Sequence, residues 1–153
     1  MAIESFGFDE VLAKFGSKKT EQSMNPRILR ELTFIAEEAC NMARDTYPSR
    51  DSGGYDDHYR NLRGSIGFKI LYMGKEVVRG GFDGKGSGEG EAQAQVAVDK
   101  VASDGALWEI IIVAGMEYAR YVEAKGYNVI TFVQSYLTKE VNYIKEQIKK
   151  GEL

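Results

Sequence analysis

Leu107-Trp108-Glu109-Ile110-Ile111-Ile112-Val113-Ala114 is the stretch whose reading decides the fold. Trp108, Ile110 and Ile112 alternate with Leu107, Ile111 and Val113, so a strand here is apolar on both faces. That pattern belongs to the centre of a sheet rather than its edge. The strand therefore needs partners on either side, and the neighbouring segments supply them.

Upstream, Leu62, Gly64, Ile66, Phe68, Ile70 and Tyr72 alternate with Arg63, Ser65, Gly67, Lys69, Leu71 and Met73. The period of two predicts a long, half-buried strand over 62–73. Gly74 offers a turn into a shorter strand over 75–79, and the pair reads as a hairpin.

Helices are expected at both ends. Asn25 is a capping residue and Pro26 suits a first helical position, where its missing N–H would have had no partner. From Ile28 an apolar stripe runs through Leu32, Ile35, Ala39 and Met42, ending before Pro48. At the other end Thr131 and Gln134 have the form of a capping box. Ile130, Val133, Leu137, Val141, Ile144 and Ile148 then make one buried face, with Phe132, Tyr136 and Tyr143 as a second stripe beside it. So wide an apolar face is expected to contact both the sheet and something else.

The predicted class is α+β: a small antiparallel sheet of three to four strands packed with a long N-terminal helix and a C-terminal helix. Residues 1–24 read as an arm or a short helix, because Phe8, Val11, Leu12 and Phe15 have helical spacing. Residues 25–153 form a single domain. Six glycines between 80 and 90 precede an Ala- and Val-rich, Gln-interleaved stretch with only a weak helical pattern, so 80–105 reads as a mobile excursion rather than core.

Composition narrows the function. The chain has 153 residues, 43% hydrophobic and 28% charged, which is ordinary for a folded domain. A formal charge of −3 argues against a surface that binds nucleic acid by neutralising phosphates. No run approaches the length of a membrane span. Met1-Ala2-Ile3-Glu4-Ser5 carries neither a basic region nor an apolar core, so synthesis in the cytosol is expected.

Catalytic material is sparse. The lone Cys40 lies in the apolar pattern of the first helix and reads as a buried thiol. The lone His58 stands in a polar loop beside Asp56 and Asp57, adjacent ligands without a second cluster to complete a metal site. The glycine-rich run fails as a phosphate loop, since Gly86 follows Lys85 and Glu89 and Glu91 would repel the anion. Spaced calcium ligands are absent from it. No cofactor, metal or catalytic residue is assigned, and an enzyme is not expected. Of nine tyrosines, Tyr118, Tyr121, Tyr127, Tyr136 and Tyr143 crowd the last third, a composition that suits a protein interface as well as a sheet–helix core.

Three passages in this order resemble the tail-component family of tailed bacteriophages and prophages, in the head–tail connector, neck and tail-completion group. They are the helix running into Pro48, then Asn61-Leu62-Arg63-Gly64-Ser65-Ile66, then Tyr118-Ala119-Arg120-Tyr121-Val122-Glu123-Ala124-Lys125-Gly126 with a terminal helix behind it. The likeness spans about residues 25–150. Tyr55 to Arg60 and the glycine-rich segment are additions to the family pattern, and no Pro precedes the last helix.

The resemblance implies a structural virion protein without enzymatic activity. It would be assembled in the bacterial cytoplasm into a ring at the head–tail junction. Its partners would be copies of itself, other neck, portal or tail proteins, and DNA passing through the channel without sequence-specific binding. Membranes would play no part. Tyr118, Arg120, Tyr121, Glu123, Tyr136 and Tyr143 would meet the adjacent subunit. Phe82, Asp83, Lys85, Glu89 and Glu91 would belong to an acidic loop that lines the channel or meets the next ring. The residues alone leave a second reading open: a small cytosolic protein-binding or regulatory domain acting as a homo-oligomer.

Overall fold

In the computed structural model, residues 9–17, 24–45, 64–82, 88–103, 105–115 and 131–153 are described. Four strands, β1 (Asp9–Ser17), β2 (Ile66–Tyr72), β3 (Lys75–Gly80) and β4 (Ala106–Ala114), form one antiparallel sheet in the order β1-β4-β2-β3. Three helices pack on it among the described residues: α1 (Pro26–Asp45), α2 (Glu89–Lys100) and α3 (Thr131–Lys149). The class is α+β, as the sequence predicts.

β4 is central, flanked by β1 and β2, and its apolar alternation divides between two layers. Trp108, Ile110, Ile112 and Ala114 join Ile66, Phe68 and Ile70 of β2 on one face. Against them pack Ile28, Leu32, Ile35, Ala36, Ala39 and Cys40 of α1, with Val133, Leu137, Val141 and Ile144 of α3. Tyr72 and Trp108 stand opposite in register and tilt their rings together, centroids 4.7 Å apart.

Three expectations are revised. The first concerns residues 9–17, where helical spacing predicted a short helix and the chain instead runs as β1. Val11, Ala13 and Phe15 have Ile112, Ile110 and Trp108 as register partners, so an alternation overrides the three-to-four spacing. The second concerns the hairpin's first strand. It begins at Ile66, because Gly64 has helical backbone and Ser65 lies in a turn. It is also buried on both faces rather than half-buried.

The third revision explains the second. Within 80–105, read as an excursion, residues 89–100 form α2, and its Gly90, Ala94, Ala97 and Val98 are buried. The helix covers the opposite face of the sheet, where Ala97 and Val98 meet Leu71, Ile111 and Val113. The molecule is thus three layers deep around its central strands: α1 with α3, the sheet, then α2.

Local chemistry sets the boundaries. The Asn25 side-chain oxygen accepts the Arg27 N–H at 2.9 Å, so the predicted cap forms. β2 and β3 join through Met73 and Gly74, both with positive φ (52° and 81°), the tight hairpin turn whose twist matches the strands. The C-terminal end of α3 closes with paired bonds from Gly151 N to Ile148 O and Glu152 N to Gln147 O.

Candidate interaction surface

The helix layer presents large apolar side chains outward. Phe34 of α1 is 60% exposed and Tyr143 of α3 is 61% exposed, although both helices bury their remaining stripes. Tyr136, two turns before Tyr143, is half-buried. Burial first, then the Glu140 and Glu38 carboxylates, pushes its hydroxyl pKa up. Glu38 belongs to α1, so Tyr136 sits at the α1–α3 seam. Of the tyrosines predicted for an interface, Tyr143 therefore faces outward and Tyr136 is part of the chain's own packing. Tyr118, Arg120, Tyr121 and Glu123 lie outside the described residues, as do Asp83, Lys85, His58, Asp56 and Asp57.

Phe82, Glu89 and Glu91 were assigned to one acidic loop, and the structure separates them. Phe82 lays its ring over Gly67 of β2, where a side chain would have no room. Glu89 and Glu91 occupy the first turn of α2, where negative charge suits the helix dipole.

Behind α2 lies a polar cluster that sequence reasoning did not single out. Lys69 is 7% exposed and donates from Nζ to the Val101 carbonyl at 2.7 Å, just past the end of α2. Burial lowers its pKa, while Glu76, Asp99 and Glu109 pull the other way. Glu109 of β4 is fully buried and accepts the Ser103 hydroxyl at 2.8 Å. At the rim, Arg79 of β3 donates to Glu76 at 2.6 Å, Gln95 at 2.7 Å and Asp99 at 2.8 Å. The bonds to Gln95 and Asp99, with those to Val101 and Ser103 just after the helix, fasten the α2 segment to the sheet. A lysine and a glutamate at strand positions gave no signal, because their burial depends on a helix whose own pattern is weak.

On the other face, α1 grips the end of the hairpin. Arg44 is buried and donates to the carbonyls of Ile66 at 3.3 Å and Gly81 at 2.5 Å. Gly81 has φ +84°, and a Cβ there would lie 2.7 Å from Cys40 Sγ and 2.8 Å from the Phe68 ring. Glycine is required on both counts. Burial raises the Cys40 thiol to about 12, so this cysteine is packing material and not a nucleophile.

Among the described residues no group of three or more His, Cys, Asp or Glu could hold a metal ion, and no helix is long and apolar enough to cross a membrane. A surface depression on α3 is lined by Gln134, Ser135, Thr138 and Lys139. Compared with protein families, curated proteins and solved structures, the chain matches none of them.

Proposed function

We propose that this chain is a structural protein of a tailed phage or prophage, one subunit of a ring in the head–tail connector, neck or tail-completion assembly. The observation that carries the reading is the outward display of Phe34 and Tyr143 on a helix layer whose inner faces are already packed. Large aromatics that a subunit's own core leaves outside suit the centre of a protein interface. The order of the three sequence passages supports a tail-component assignment over other associating domains. A head-to-tail contact repeated around an axis closes a ring, and a helix layer with exposed aromatics can meet a different surface of the next copy. Within this reading the net charge of −3 would let DNA slide past the ring instead of adhering.

Solution mass across a concentration series, with negative-stain imaging, tests the proposal. Rings of fixed subunit number, lost in Tyr143→Asp and Phe34→Asp while the circular dichroism spectrum is kept, are expected. Dimers alone would favour the small regulatory domain instead. A chain that remains monomeric alone and on portal or tail complexes would sink the connector reading.

A further inference from the structure

We propose that α2 is a latch, lifting from the sheet as one unit and pivoting at Gly88 and Gly105 while α1, α3 and the sheet stay folded. The inference does not depend on the connector reading. It rests on how differently the two faces of the sheet are covered.

The apolar contribution of α2 is small. Its buried positions are Gly90, Ala94, Ala97 and Val98, so Val98 is the only one larger than alanine. They meet a cluster of Leu71, Ile111 and Val113 on the face of the sheet opposite the main core. Undocking therefore leaves the α1–α3 core intact. Buried apolar area is the main term holding an element in place, and here the helix segment brings only small side chains, with Val98 and Val101 the largest, against Leu71, Ile111 and Val113.

Polar bonds supply much of the remaining attachment, and water can replace them. Arg79 reaches Gln95 and Asp99 from a rim position, and Asp99 is 66% exposed at its side chain. The Val101 carbonyl and the Ser103 hydroxyl tie the far end to Lys69 and Glu109. Lifting α2 would hydrate that buried amine and carboxylate, recovering solvation that docking removes. The lost bonds are thus offset in a way that lost apolar packing is not.

Docking is also discrete. At the end of β4, a Cβ on Gly115 would lie 2.5 Å from the Gln93 carbonyl oxygen and 2.6 Å from the Ala94 nitrogen. Backbone meets backbone there, with no side chain to adjust, so the helix is either seated or away. Gly88 (φ 87°) and Gly105 (φ 90°) flank the segment with open space around them, which leaves both ends room to rotate.

Hydrogen exchange of the intact chain tests the latch. Amides within α2 are expected to exchange together, about tenfold faster than those of α1 and β4, as a cooperative sub-global opening requires. Gly115→Ala sets a methyl against the helix backbone and should accelerate α2 by about tenfold more, with α1, α3 and β4 unchanged. Arg79→Ala should act in the same direction more weakly. Exchange of α2 at the rate of β4, or α2 amides fraying one by one from an end, would overturn the proposal. So would a Gly115→Ala chain that unfolds throughout, because a latch leaves the rest standing.

Discussion

The two faces of the sheet are held by different means. On the α1–α3 face, Phe68, Trp108 and a run of isoleucines meet two long helices with strong apolar stripes. On the α2 face, a short helix of small residues covers a lysine and a glutamate, and ion pairs at the rim complete the fastening. The first arrangement is non-directional and area-driven, and it tolerates little water. The second depends on geometry and on groups that water also satisfies. Stability should reside on one side of the sheet and adaptability on the other.

The largest test of that contrast is Phe68→Ala. Phe68 is 1% exposed at the heart of the helix-side core, and its loss should cost about 3–5 kcal/mol in denaturant unfolding. A cost below that of a surface mutation would remove the asymmetry. Next comes alkaline stability. Cys40 keeps its proton to about 12 in the folded chain, whereas the unfolded thiol loses its own near the ordinary value of 9.0. The native state then holds one more proton than the unfolded state, so stability falls as pH rises through that window. The slope is about 1.4 kcal/mol per pH unit. Comparing wild type with Cys40→Ala by urea melts across the window isolates this contribution, which should vanish in the variant.

Val98→Ala probes the other face and should cost only about 1–2 kcal/mol. Its effect should show as faster hydrogen exchange in α2 before it shows in global unfolding. A loss as large as that of Phe68→Ala would mean that both faces are one cooperative core. The smallest effect on stability is expected from Tyr143→Ala, within about 0.5 kcal/mol, because the side chain is outside. Its consequence should be read instead in the solution mass of any assembly.

The same contrast explains what the chain reveals before it folds. Each element of the α1–α3 side announces itself: the three-to-four spacing of Ile28, Leu32, Ile35 and Ala39, the cap at Asn25, the double-faced run in β4, the turn after Tyr72. Large apolar side chains produce strong periodicity. α2 hides because alanine contributes little to a pattern and its docking is written at Gly115, outside the helix itself. Once that helix is missed, nothing marks Lys69 and Glu109 for burial. β1 is misread because Val11 and Phe15, four residues apart, satisfy two periods at once, and its pairing with β4 decides between them. Of the candidate surface, Tyr143 was legible as part of a second stripe on its helix. Phe34 was not, since a single aromatic on an outer face has no period.

The strand order carries a consequence for how the chain is made. β4 separates β1 from the hairpin, so β1 cannot join the sheet until a segment on the order of a hundred residues later leaves the ribosome, a long-range closure that slows folding. Until then the nascent protein can build α1 and the β2–β3 hairpin, but the central strand that organises them is missing. Synthesis should therefore pass through a window in which the apolar stripe of α1 has no sheet to cover it. Chaperone dependence, if present, should be concentrated there.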